Sequence, residues 1–264
     1  MNFWQIIILG VIEGFTEFLP ISSTAHLILT TKVLNIGFSE FVKSFEIAIQ
    51  LGAILGVVFL YWKKIIFTKK IIKKIVIAFL PTAFFGAFLY KLFKNYLMEN
   101  LLIIVWMLVL GGVFLIIFES WYKEKKESIK TIEEISNKNC FLVGIFQSLA
   151  IIPGVSRAAA TILGGLFLGI SRKTIVEFSF LLAIPTMLGA TTYDLLRVGF
   201  TFSSQQFVQL LAGFLISCLV AIITVKGFLR YIQKHDFRLF GFYRIGLGLI
   251  FYLLLVFNKI MFNN

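Results

Sequence analysis

The sequence predicts an all-α polytopic membrane protein built from two inverted-topology repeats, each a re-entrant helical hairpin followed by three transmembrane helices. Three observations predict it. The 264 residues are 59% hydrophobic and only 14% charged, with a mean hydropathy of +0.95, whereas soluble domains carry about 25% charged residues to face water. The basic residues are bunched between apolar spans. The two halves also resemble each other at a fixed offset.

Runs such as LLIIVWMLVLGGVFLIIF at 101–118 are long enough to cross a bilayer as helices. They lack the strand-length alternation of a barrel. The N-terminus has neither a basic leader nor a small-residue cleavage site, so no cleavable signal is expected. Cys140 and Cys218 lie far apart in apolar segments, which argues against a disulfide or metal framework. The net charge of +12 does not point to nucleic acid, because six lysines crowd into WKKIIFTKKIIKK at 62–74 between two apolar spans, as in a short cytoplasmic loop.

GVIEGFTEFLPISST in the first half aligns with GIFQSLAIIPGVSRA in the second, with one gap before the proline. Pro20 pairs with Pro153 and Ser23 with Ser156, both 133 residues apart. FEIAIQLGAILG from Phe45 and FSFLLAIPTMLG from Phe178 keep that spacing. The first repeat is therefore 1–118, with its hairpin at 1–30. A cytoplasmic linker follows at 119–139, then the second repeat at 140–264 with its hairpin at 140–170. If both hairpins dip and return, the loops at 62–74, 119–138, 171–177 and 226–238 share one face, with 17 basic residues against 6 on the other. If both span instead, the split falls to 13 against 10. The bias of Lys and Arg toward the cytoplasm selects the re-entrant arrangement. Three crossings per repeat then invert the second repeat relative to the first. The two hairpins meet near the midplane, where irregular backbone is tolerated only inside protein or beside a water-filled cavity.

The first hairpin carries EGFTEFLPISSTAHL. Glu13 and Glu17 are four apart and share a helix face. An ionised carboxylate at mid-membrane costs on the order of 3 kcal/mol, so the pair calls for a cation or for Arg157 or Arg244. Magnesium suits one or two carboxylates with substrate phosphate, and calcium is the other candidate. Pro20 breaks the helix, and Ser22 or Ser23 can cap the next one. The new N-terminus makes a phosphate cradle. Ser23 and His26 can reach one group as hydroxyl nucleophile and imidazole, or serve as a cap beside a hydrogen-bonded histidine.

The second hairpin carries IPGVSRAAAT. Gly154 permits an unusual turn. Ser156, Arg157 and Thr161 follow, and the arginine fork suits phosphate oxygens. Glu46, Gln50, Glu177 and Arg244 are secondary candidates. Together these groups point to a diphosphate handled with a divalent metal.

At these residues the sequence resembles bacterial undecaprenyl-diphosphate phosphatases of the bacitracin-resistance type. The likeness runs through EGFTEFLPISSTAHL, FEIAIQLGAILGV, PGVSR with Thr161, FSFLLAIP and the late FYRIGLG. It implies hydrolysis of the C55 polyprenyl diphosphate to its monophosphate in the bacterial inner membrane. It also implies a divalent cation, an active site open to the outer face, and a homodimer. By position, Glu13 and Glu17 are the metal or base pair, and Ser23 and His26 the nucleophile and its neighbour. Ser22, Gly154, Ser156, Arg157 and Thr161 are phosphate-binding. Ala158 and Ala159 replace the Ser and Gly usual after the S-R pair, removing one hydroxyl.

Two other classes compete. A phosphatase of the phosphatidic-acid type needs a histidine after its S-R pair, and His26 and His235 are the only histidines. A lipid transporter or flippase shares the inverted-repeat architecture with broken midplane helices.

Overall fold

The computed structural model describes residues 1–37, 39–96, 100–195 and 202–262. Among them are ten α-helices: α1 (Phe3–Thr16), α2 (Ser23–Val33), α3 (Glu40–Phe67), α4 (Lys69–Tyr96), α5 (Leu101–Trp121), α6 (Asn137–Ser148), α7 (Arg157–Phe167), α8 (Arg172–Leu195), α9 (Ser204–Tyr231) and α10 (Arg238–Phe262). The described residues hold no strand, only a single parallel bridge between Ile129 and Ile170. Six helices, α3, α4, α5, α8, α9 and α10, are long and apolar enough to cross a membrane. The other four are not. The 14 residues of α1 reach about 21 Å at 1.5 Å per residue, short of a bilayer core of about 30 Å.

The short helices come in pairs, α1 with α2 and α6 with α7, each joined through a proline-containing break. The pairs are seated against different long helices: α1 on α9, and α6 on α4. Glycine makes both seats close. A Cβ on Gly14 would lie 2.5 Å from the Ser217 carbonyl, and one on Gly144 would lie 2.1 Å from that of Ala78. Such contacts let helices associate where lipid offers no hydrophobic drive. Long helices pair as α3 with α8 and α9, and α5 with α10. Phe45 and Phe178, in register by sequence, are both fully buried.

The basic stretch at 62–74 is not a loop. α3 runs to Phe67 and α4 starts at Lys69, leaving Thr68 between them. Lysine is a good helix former, so a run of lysines does not interrupt a helix. Likewise α6 begins at Asn137, capped by the Ser136 hydroxyl, a few residues ahead of the expected hairpin start.

The linker is tied down. Ile129 donates to the Gly169 carbonyl (3.0 Å) and accepts from the Ser171 amide (2.9 Å). Lys74 donates to the Ile135 carbonyl and to Asn137. Beside it, Arg172 grips the buried Glu119 with two parallel bonds, and Glu119 also accepts from the Phe237 amide. One carboxylate thus joins the ends of α5, α8 and α10. Glu119→Ala leaves the mostly covered Arg172 guanidinium without its partner, so a loss of about 3 kcal/mol is expected. Thermal unfolding in detergent checks it.

Candidate active site

In the first break the Glu17 amide still bonds the Glu13 carbonyl (3.0 Å), so helical geometry persists to Glu17 before the chain turns at Pro20. Ser22 then takes φ 71° and ψ 90°, a left-handed conformation costly for a residue with a side chain, of order 1–3 kcal/mol. Its side chain makes no capping bond. Its carbonyl instead accepts from His26 twice, from Nδ1 (2.7 Å) and from the backbone amide (3.2 Å). A carbonyl cannot donate, so Nδ1 carries the proton. The neutral ring then accepts at Nε2 from the Tyr243 hydroxyl, 2.8 Å away on α10. Tyr243 also stacks on the imidazole. His26 therefore pins the strained turn. Ser23, the first residue of α2, donates its hydroxyl to Glu17 Oε2.

In the second break Gly154 has φ 91°. A Cβ there would lie 2.7 Å from the Ile104 carbonyl, so both conformation and space demand glycine. Ser156 caps α7, accepting from the Ala159 amide (3.1 Å), and donates across to the Leu19 carbonyl of the first break (3.3 Å). Arg157, the first residue of α7, meets Glu17 Oε1 at 3.3 Å and the Ser179 carbonyl at 3.0 Å. Its buried Nε–H has no partner among the described residues. Thr161 donates to the Arg157 carbonyl on its own helix (2.8 Å).

Glu17 is thus the hub: one carboxylate oxygen accepts from Ser23 and the other meets Arg157. Ser23 and Arg157 head the two inner helices, and Ser22 precedes α2 as Ser156 precedes α7. The helix starts therefore match Ser23 with Arg157, whereas the sequence alignment pairs Ser23 with Ser156. The N-termini of both helices carry free N–H groups and the positive end of a helix dipole, and Glu17 contacts the first residue of each. Burial of the carboxylate, hydroxyl and guanidinium removes competing water and strengthens each interaction.

Glu13 lies one turn back from Glu17, fully buried, and neither of its oxygens has a hydrogen-bond partner among the described residues. The charges of Glu17, Glu46 and Arg157 reach it. Two bare oxygens in a buried carboxylate fit a cation. No cluster of three His, Cys, Asp or Glu suited to a metal occurs among the described residues, which fits an ion held by one or two carboxylates with water and phosphate completing its shell, as is usual for magnesium. Glu177 sits apart, paired with Lys64 at 2.6 Å. Arg244 is buried between the breaks and bonds the carbonyls of Pro20 (3.2 Å) and Gly154 (3.0 Å).

Sequence reasoning brought together Glu13, Glu17, Ser22, Ser23, His26, Gly154, Ser156 and Arg157. It missed Tyr243, whose signal was its place beside Arg244 in the FYRIGLG motif. Ser23 and His26 face different partners, so three-residue spacing alone did not define a serine–histidine pair.

The motifs and the geometry meet in the comparisons with known proteins. The family model described as bacitracin resistance protein BacA matches residues 6–250. The undecaprenyl-diphosphatase of Aquifex aeolicus is 50% identical over 251 residues, 95% of this chain and 98% of that protein. That of Sulfurihydrogenibium sp. is 48% identical over 253 residues, 96% and 99% of the two chains. That of Campylobacter jejuni is 49% identical over 249 residues, 94% and 92%. With the match spanning both breaks and five of the six long helices and reaching into the sixth, the chain belongs to the bacitracin resistance protein BacA family.

Proposed function

We propose that the protein is a membrane phosphatase that hydrolyses undecaprenyl diphosphate to undecaprenyl phosphate and inorganic phosphate. This returns the lipid carrier to peptidoglycan synthesis and confers bacitracin resistance. The observation that carries the chemistry is the Glu17 carboxylate held between the Ser23 hydroxyl and the Arg157 guanidinium.

Ser23 Oγ attacks the terminal phosphorus while Glu17 takes its proton. The bond from phosphorus to the bridging oxygen breaks, and the polyprenyl phosphate leaves with that oxygen and the proton from Glu17. Water then attacks the phosphoserine, giving a proton to Glu17 that passes on to the Ser23 oxygen. Arg157 keeps its Nε–H for a phosphoryl oxygen, and the α2 and α7 N-termini stabilise the charge that develops. His26 holds the Ser22 turn and so aims Ser23. Glu13, with Glu17 beside it, would hold a divalent cation, which would supply charge neutralisation for the diphosphate.

The same reading carries two inverted repeats, 1–118 and 140–264, whose re-entrant hairpins are α1–α2 and α6–α7. The exchanged seats of the hairpins, α1 on α9 and α6 on α4, support it. So does the correspondence of Glu13 with Gln147, both fully buried. The site then opens to the outer face of the inner membrane. A single cysteine at Lys126 or Lys234, in a cysteine-free background, is expected to resist membrane-impermeant reagents in intact cells; external labelling overturns this orientation.

Phosphate release by purified protein in detergent tests the function directly, because a flippase needs no turnover. Chelation of divalent metal is expected to abolish release. Glu13→Gln is expected to raise the metal concentration needed for half-maximal activity at least about tenfold. Unchanged metal dependence in that variant removes Glu13 from the cation site.

A further inference from the structure

Arg244 is the largest fully buried side chain among the described residues, 1% exposed, yet no carboxylate among them pairs with it. Its guanidinium donates instead to four backbone carbonyls: Pro20 (3.2 Å), Gly154 (3.0 Å), Met107 (2.9 Å) and Leu108 (3.3 Å). Pro20 belongs to the first break and Gly154 to the second, while Met107 and Leu108 lie on α5. Broken helix ends leave carbonyls without helical donors, and one planar fork can serve several at once.

The seat for this group is written into α5 as Gly111-Gly112. A Cβ on Gly111 would lie 2.2 Å from Arg244 Nη2 and 2.8 Å from its Cζ, and no other residue's atoms are among its nearest neighbours. A Cβ on Gly112 would lie 2.6 Å from the Gly241 carbonyl, so the same pair lets α10 approach closely enough for the guanidinium to reach both breaks. Otherwise two direct side-chain ties join the breaks, Ser156 to the Leu19 carbonyl and Arg157 to Glu17.

We infer that Arg244 is a positioning residue: its guanidinium, seated on Gly111-Gly112, fixes the Ser23 loop and the Arg157 loop at one spacing. The kinetic half of this inference rests on the phosphatase reading above. The structural half does not. A loop displaced by about 1 Å loses near-attack geometry without losing substrate contacts made elsewhere. Lysine keeps the charge but has one nitrogen, which cannot span carbonyls on opposite sides.

Two measurements test it. In monodisperse protein, Arg244→Lys is expected to lower kcat about a hundredfold while KM stays within about twofold. A wild-type kcat, or a loss confined to KM, overturns the positioning role. In a stability cycle that needs no substrate, Gly111→Ala is expected to lower the melting temperature by roughly 5 °C beside Arg244. The same change is expected to cost nothing in an Arg244→Ala background, because the colliding atoms are gone. If Arg244→Ala fails to fold, Arg244→Lys serves as the second background, where the flexible amine can move aside and the cost must shrink. Equal cost in both backgrounds overturns the seat. Absence of phosphate release by the wild-type protein defeats the function reading and leaves the stability cycle standing.

Discussion

Ser23→Ala is expected to reduce kcat by at least about a thousandfold, because no other hydroxyl among the described residues bonds Glu17. Ser22 is adjacent, but its side chain makes no cap bond and its left-handed backbone points its carbonyl at His26. The effect of His26→Ala is expected to be smaller and of another kind. The Nδ1 bond to the Ser22 carbonyl disappears, the turn relaxes, and Ser23 loses aim rather than its base. Mass spectrometry of protein quenched during turnover separates the roles: phosphate should be found on Ser23. Phosphate on His26, or near-normal turnover by Ser23→Ala, reverses the assignment. Full activity in both variants would make the whole EGFTEFLPISSTAHL stretch a structural element.

Glu17→Gln is expected to cost at least about a hundredfold in turnover, since it removes the proton acceptor and uncouples Arg157 in one step. Glutamine keeps the shape and can still accept a hydrogen bond from Ser23, so folding should survive. Arg157→Lys is expected to be partly active and Arg157→Ala nearly inactive, with the loss in kcat larger than any rise in KM, because the guanidinium serves charge that appears in the transition state. Because both partners act through one carboxylate, the losses in Glu17→Gln and Arg157→Ala should not add. Additive losses would mean that the bridge has no part in the reaction.

Much of this site was legible in the sequence because the membrane makes polarity conspicuous. Glu13 and Glu17 stand out in an apolar segment, and Pro20 and Gly154 announce the breaks, since few residues tolerate those backbones. What hydropathy could not give was partner choice. Ser23 had Glu17 six residues behind it, across a break whose path only the fold decides, while His26 turned to Ser22 and to Tyr243 more than two hundred residues away. Arg244 read as a partner for Glu13 or Glu17 on charge alone. It serves carbonyls instead, and the glycines that admit it look like ordinary small residues of an apolar helix. Thr161 matched the motif by position, but its hydroxyl closes on its own helix. The lysines at 62–74 marked an end of the bundle without marking a loop.

The clasp at the linker end bears on where the products go. Ile129 is held to the turn between α7 and α8, Lys74 to the start of α6, and Glu119 to α8 and α10. A carrier that rocks its halves apart would have to undo the Lys74 and Glu119 ties in every cycle. A hydrolase need undo none. On the hydrolase reading proposed above, the headgroup and the departing inorganic phosphate are expected to use the same side of the protein, which would make the chemistry vectorial. Inorganic phosphate added only on the far side is then expected to leave turnover unchanged.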